Sequence, residues 1–504
     1  MSHSQIKHLI IVGGGTAGWM AAASISCQLS SFNIQVTLIE SEDIGTVGVG
    51  EATIPSIRSY NDSLGIDELD FIKATQATFK LGIEFRDWRE KGSRFFHPFA
   101  DYGIDLNGVA FHHYLSRARQ CGLEADPAVY SFATQLAWQN RFAQPHANPP
   151  SPLAEYGYAY HFDAGRYAQF LRAYAEKRGV TRVEGKIATT QLHPYNGDID
   201  SVTLEDGKVI DGDFFVDCSG FRGLLIEQAL HTGYDDWRQW LPCDSAIAVQ
   251  SDKADTLTPY TRTTAKDAGW QWRIPLQYRT GNGYVYASAF CDLDEAESTL
   301  FEGLDTAALT EPRRFQFVTG KRKKIWHKNC FALGLASGFL EPLESTSISL
   351  IQTGISKLLE FFPHNGIVPA DQNEVNRQHS HEFERIRDFL ILHYKATARR
   401  DTPFWQHCQQ MPVPDSLQHK MDVFRSRGKV VMLDPEAFER DSWVTMYLGF
   451  HKFPADYDRR ADALSQEQLI EQLKKMRQVV TQAATQPLSH EEFIERHCAA
   501  LDPD

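Results

Sequence analysis

The sequence predicts a mixed α/β fold (α/β, α+β) that opens on a βαβ unit, continues through interleaved sheet segments and closes on a helical cap. Three observations carry that expectation. The N-terminal stretch "HLIIVGGGTAGWMAAASI" reads as strand, glycine turn and helix. Two later runs, "DFFVDCSGFRG" (213–223) and "GWQWRIP" (269–275), read as strands running into a turn or a proline. In the last third, apolar residues recur at helical spacing: Phe383, Ile386, Phe389, Leu390 and Tyr394, then Leu469, Leu473, Met476 and Val480.

The opening unit is read as a strand at Leu9–Val12, a GxGxxG turn at 13–18, a helix at Trp19–Leu29 and a second strand, "IQVTLIE", ending at Glu40. Gly13, Gly15 and Gly18 permit a tight turn and close backbone approach. Thr16 and Ala17 of the turn, with the helix N-terminus that follows, offer free N–H groups to a pyrophosphate, and Glu40 is placed to accept from a ribose hydroxyl. A glycine turn of purely structural use is the competing reading. No second glycine fingerprint exists, so one dinucleotide is expected. FAD fits better than NAD because 213–223 and 330–362 are flavin-like, the latter reading as strand, loop and long helix. Ile348, Ile351, Ile355, Leu358 and Phe362 form the stripe of that helix. Its start, near Thr346, offers the amides of Thr346 and Ser347 to a flavin edge, a phosphate or a halide. An ordinary Ser/Thr-capped helix explains the same residues.

Composition narrows the partners. The chain has 504 residues, 42% of them hydrophobic, enough for two or three domains or one interleaved unit. With 51 basic against 65 acidic residues the net charge of −14 opposes binding to nucleic acid or anionic lipid. No segment reaches the roughly 18 apolar residues of a membrane helix, and the N-terminus lacks a signal-peptide layout. Eight scattered cysteines without a CxxC pair suit a reducing, cytoplasmic setting. His112-His113 and His379/His381 lack acidic or cysteine partners at ligand spacing, so no metal site is expected. Ser465 with Gln468, and Ser489 with Glu492, read as capping boxes that open the last two helices. "QPHANPPSPLA" (144–154) reads as a surface loop.

Over nearly its whole length the sequence resembles the flavin-dependent tryptophan halogenases. The matching stretches are "GGGTAGWMAA", "GVGEATIP", "FKLGIEFRDW", "HFDAGRYAQFL", "DCSGFRGLL", "GWQWRIP", "EPLEST" and "RDFLILHY…DTPFW". The resemblance implies a GR2-type FAD-binding fold like that of single-component monooxygenases. Residues 1–360 would form the FAD module interleaved with substrate-side sheet segments, and 361–504 a mainly helical substrate-side subdomain. It implies FAD, used as FADH2 supplied in trans by a separate NAD(P)H flavin reductase, and a chloride or bromide ion. Gly50, Glu51, Ile187, Leu335 and Ile348 would join the glycine turn around the cofactor.

The same resemblance assigns the chemistry. Reduced flavin, dioxygen and halide give hypohalous acid, which needs a donor to polarise it beside the substrate and a base to take the ring proton. Lys80 matches the first role and Glu344 the second, with Glu341 a rival carboxylate. Read locally, Lys80 interrupts an apolar alternation through Phe79, Leu81, Ile83 and Phe85, as a lysine on the polar face of one strand near Glu84 would. Amides at Thr346 and Ser347 would hold the halide, although the family usually has glycine where Ser347 stands. Trp270, Trp272 and Pro275 would line the passage between flavin and substrate, and His97 and Phe99 would sandwich an indole ring. His97 as a hydrogen-bonded structural histidine is the local alternative.

Members that act on free tryptophan carry paired tyrosines followed by a glutamate in the C-terminal region. Here "DSWVTMYLGFHKFPADY" offers Trp443, Tyr447 and Phe450 instead, which leaves an amino-acid zwitterion poorly paired. An indole-type substrate is therefore expected, with Trp443 and Phe450 as contacts. A flavin hydroxylase and a noncatalytic flavin-binding protein remain as alternatives, and a homodimer is left open.

Overall fold

The computed structural model describes residues 5–44, 51–123 and 125–500. The chain divides into two units, each assembled from three segments: 1–76, 162–238 and 317–383 in the first, and 77–161, 239–316 and 384–504 in the second. The boundary expected at 360 is thus displaced. The C-terminal helices share a unit with strands from two earlier segments, and the long helix Pro369–Lys395 runs through the last crossing.

The first unit is built on a six-stranded sheet in the order 326–327, 330–332, 214–217, 8–12, 35–40, 181–184. Strand His8–Val12 (β1) is flanked in parallel by Gln35–Glu40 (β2) and Phe214–Asp217, and is buried from Leu9 onward. That is why it reads as a continuous apolar run rather than an alternation. Between β1 and β2 the helix Thr16–Gln28 (α1) completes the expected crossover. The long helix runs Ser347–Glu360, with Ile348, Ile351, Ile355 and Leu358 buried. Phe362, expected to continue the stripe, lies beyond the helix end.

The second unit carries a seven-stranded sheet in the order 313–316, 245–252, 279–286, 269–275, 261–266, 82–86, 94–98. Its pairs are antiparallel except 82–86 against 261–266. Strand Gly269–Pro275 is central and buried at every residue. The two capping boxes form as the sequence predicts, Ser465 opening Gln466–Ala483 and Ser489 opening His490–His497.

Candidate active site

In the first unit the glycine turn is shaped by steric necessity. Gly13 sits at φ +110, and a Cβ there would stand 2.3 Å from the Cys218 carbonyl oxygen. On Gly18 a Cβ would meet the Gly13 carbonyl oxygen at 1.8 Å, whereas at Gly15 it would meet nothing within 4 Å. The turn is therefore closed on its protein side and open at the start of α1, where Gly15 caps the helix without a side chain and Thr16 and Ala17 follow. A phosphate-bearing cofactor fits there. Glu40 ends β2 as expected, but its carboxylate already accepts from Arg182 Nε and from Trp19 Nε1 at 3.2 Å.

Gly334, at φ +62, comes so close to α1 that a Cβ would stand 2.8 Å from the Ala17 Cβ, and Leu335 follows it in a short 3-10 turn. Ile348 lies buried in the next helix. Ile187 packs against the apolar cluster of Val202, Leu204 and Phe215. Burial, with the Asp163 carboxylate second, pushes the Glu51 carboxyl up to about 7. Gly50 lies outside the described residues.

The "EPLEST" stretch folds as a 3-10 turn at Pro342–Glu344, then Ser345 at φ 59, then Thr346 capping the long helix. Glu341, Glu344 and Thr346 are all buried. Thr346 makes no side-chain capping bond, and its Oγ1 is buried without a hydrogen-bond partner. A helix start with free N–H groups at Thr346 and Ser347 beside an unsatisfied hydroxyl is a donor set that fits a halide.

In the second unit Lys80 is fully buried, its Nζ 5.2 Å from the centre of the Phe99 ring. It ends the short strand Thr78–Lys80, which pairs with Ala159–His161. This strand is separate from 82–86, since the Leu81 N–H turns away to the Pro259 carbonyl. Lys80 and Glu84 therefore belong to different sheets, and Glu84 pairs instead with Arg86 at 2.7 Å and Arg94 at 3.6 Å. The expectation of one strand through Phe85 fails because the chain changes sheets at Leu81.

Two histidines fix the lysine strand. Thr78 Oγ1 donates to the Pro275 carbonyl at 2.7 Å and lies 3.0 Å from His161 Nδ1, while His161 Nε2 lies 2.9 Å from Thr261 Oγ1. Because the Thr78 proton is spent on Pro275, His161 carries its own proton on Nδ1 and accepts from Thr261. Burial and then the Lys80 charge hold His161 well below its ordinary range. The Phe79 N–H donates to His490 Nε2 at 3.1 Å, so Nδ1 donates to the Leu257 carbonyl at 3.0 Å, and burial keeps this ring neutral down to about pH 4.

Trp270 and Trp272 share one face of their strand with ring centres 6.1 Å apart. Trp270 also meets Trp88, and the Trp272 indole lies over Gly283, where a Cβ would stand 2.1 Å from it. Pro275 ends the strand against the Thr78 hydroxyl. His97 contacts Phe389 and Phe438, which stack at 3.9 Å, and Trp443 packs on Phe389 at 5.0 Å. His97 and Trp443 thus share one aromatic cluster, while Phe450 packs against Phe95. The Trp443 Nε1 and Tyr447 hydroxyl are buried donors without a partner.

Sequence reasoning missed Gly283, Phe389 and Phe438 as parts of this region, and Lys420, whose ammonium sits 4.1 Å from the Trp443 ring centre and pairs with Glu436. It also missed Asp217, whose buried carboxylate accepts the backbone N–H groups of Ser219, Leu225 and Ile226 and so holds the turn of "DCSGFRG". A lone acid between a strand and a glycine turn was the available signal.

The glycine turn of the first unit, open at a helix start between two parallel strands, is that of a dinucleotide-binding α/β protein. The family model described as tryptophan halogenase matches residues 8–466, and the chain belongs to that family. It is 37% identical to the tryptophan 6-halogenase SttH of Streptomyces toxytricini over 85% of each chain. It superposes on Xcc4156, a flavin-dependent halogenase from Xanthomonas campestris, with a TM-score of 0.96 and 46% identity over 99% of this chain and 100% of that one. For BrvH, a flavin-dependent halogenase from Brevundimonas sp. BAL3, the values are 0.95 and 45% over 98% and 99%. The fold is accordingly the GR2-type FAD-binding fold, and the protein is a flavin-dependent halogenase that uses FAD and halide with a separate flavin reductase.

Proposed function

We propose that this halogenase acts on an indole-type substrate other than free tryptophan, with Lys80 and Glu344 as its catalytic pair. The observation that carries the reading is the fully buried Lys80 ammonium beside the Phe99 ring. Reduced FAD, when bound with dioxygen and chloride or bromide, supplies hypohalous acid. Thr346 and Ser347 hold the halide through their amides, and Trp270, Trp272 and Pro275 wall the route taken by the oxidant. Lys80 donates to the oxidant's oxygen. The carbon–halogen bond forms as the halogen–oxygen bond breaks, hydroxide leaves as water with the Lys80 proton, and the ring proton passes to the Glu344 carboxylate.

The aromatic cluster of His97, Phe389, Phe438 and Trp443 supports a flat ring as substrate. Its unpaired groups, Trp443 Nε1 and the Tyr447 hydroxyl, include no carboxylate to pair with the ammonium of a zwitterion. The eight cysteines form no disulfide, which supports a reducing cytoplasmic setting.

The test supplies purified protein with a flavin reductase, NADH, oxygen, chloride or bromide and a panel of indoles including free tryptophan, with products read by mass spectrometry. Halogen isotope pairs on the indoles and weak turnover of tryptophan are expected. Hydroxylated products overturn the reaction, and saturable, regioselective turnover of free tryptophan overturns the substrate choice.

A further inference from the structure

On the seven-stranded sheet, strand pairing sets two arginines directly opposite each other, Arg262 against Arg273. Like charges facing across a ladder destabilise it. Here a single carboxylate, Asp305, bridges both, at 2.9 Å to Arg262 and 2.8 Å to Arg273. One anion thus serves two cations, one of which, Arg273, is buried.

These residues line a cleft of about 220 Å³ together with Arg86, Lys266, Thr264 and Asp87. Glu84 neutralises Arg86 at 2.7 Å, while Asp87, which accepts from the Gly92 N–H at 2.6 Å, keeps its negative charge near Lys266, so that with Asp305 the anions still fall short of the cations. The half-buried Lys266 ammonium has no ion-pair partner among the described residues. Burial draws Lys266 and Arg273 below their ordinary ranges, the direction expected of cations short of anions. The lining is therefore donor-rich and holds excess positive charge, and the donors come from three adjacent strands.

We propose that this cleft binds a phosphate-class oxyanion, either free phosphate or the phosphate group of a small organic ester. A tetrahedral oxyanion presents acceptors in several directions and so meets donors on different strands, which the two oxygens of a carboxylate do less well. The volume is several times the ~30 Å³ of one water and below the ~300 Å³ of drug-sized pockets, which limits the ligand to a small one. Along their strand Gln271 and Arg273 alternate with Trp270 and Trp272, and Trp272 itself also lines the cleft. A bound oxyanion neutralises the Arg262–Arg273 pair and so tightens the strand that carries the two indoles.

FAD-loaded protein, with its own phosphate-binding turn filled, is dialysed to equilibrium against labelled inorganic phosphate, with chloride balancing the ionic strength. Saturable uptake of about one phosphate per chain is expected, weakened roughly tenfold in Lys266→Met and in Arg262→Gln. Uptake that does not saturate, or that is unchanged in both variants, overturns the proposal. Competition by glycerol phosphate separates the two sources: tighter binding than inorganic phosphate assigns an ester, and equal binding assigns the free ion. Circular dichroism verifies that the variants fold, and indole halogenation on the same samples reports separately on the reaction.

Discussion

Lys80 sits where an ammonium is costly to bury, in a region packed with Phe99 and two neutral histidines. Such placement is unprofitable for stability and useful for polarising an oxidant. Lys80→Ala is expected to reduce halogenation by at least ~10²-fold while bound reduced flavin still reoxidises with oxygen. Product formation and oxygen uptake, measured together, check this, and a normal rate and regioselectivity would remove Lys80 from the chemistry. Glu344→Gln should slow turnover by about 10²-fold with little change in FAD binding. Glu51 gives a pH signature. Its folded value of about 7 lies above the ordinary 4.5, so the native state holds a proton that the unfolded chain has released. Stability should fall as pH rises between those values, and Glu51→Gln should flatten that slope in thermal melts from pH 4.5 to 7.5. At this scale the motifs singled out Lys80 and Glu344 as the candidate pair, because a family pattern marks identities. Phe389, Phe438 and Lys420 stayed hidden, because their roles come from contacts made far along the chain.

Elements whose cause is local were legible. Helix α1, the Gly18–Gly13 approach and both capping boxes follow from hydrogen bonds and sterics within a few residues of each other, whereas Gly13 is also constrained by the distant Cys218. Pairing across the sheets was not, since nothing near Ile83 announces that it lies beside Thr261 or that the chain leaves the lysine strand at Leu81. The two-residue period named the shared face of Trp270 and Trp272 but not the neighbour that makes room for an indole. That neighbour is Gly283, which is extended and unstrained, so its use is space rather than backbone freedom. Gly283→Ala should push the Trp272 ring aside, with changed tryptophan fluorescence and a drop of about tenfold in product formed per flavin oxidised. An unchanged ratio would mean that the indole does not guide the oxidant.

For the whole molecule, composition allowed two or three domains or one interleaved unit, and the chain divides into two units of three segments each, with crossings set by packing. The C-terminal helices pack on each other but also lean on earlier segments of their unit. Phe450 packs on Phe95, His490 accepts from Phe79, and the Leu257 carbonyl accepts from His490. A fragment of 361–504 expressed alone should therefore show helical far-UV signal without a cooperative melt and should be cut rapidly by protease. A sharp thermal transition in that fragment would restore a boundary at 360. No helix among the described residues is long and apolar enough to cross a membrane.

The alternation of segments along the chain also orders events on the ribosome. The first unit lacks its last piece until residue 383 has been made, and the second waits for the closing helices near the C-terminus. At ~5–20 residues per second, the final stretch alone takes roughly 6–24 s to synthesise. Throughout that interval the seven-stranded sheet is complete in sequence but lacks the C-terminal helices of its unit. Recombinant yield should accordingly respond to slower translation at low temperature and to chaperone supply more than to changes at the surface.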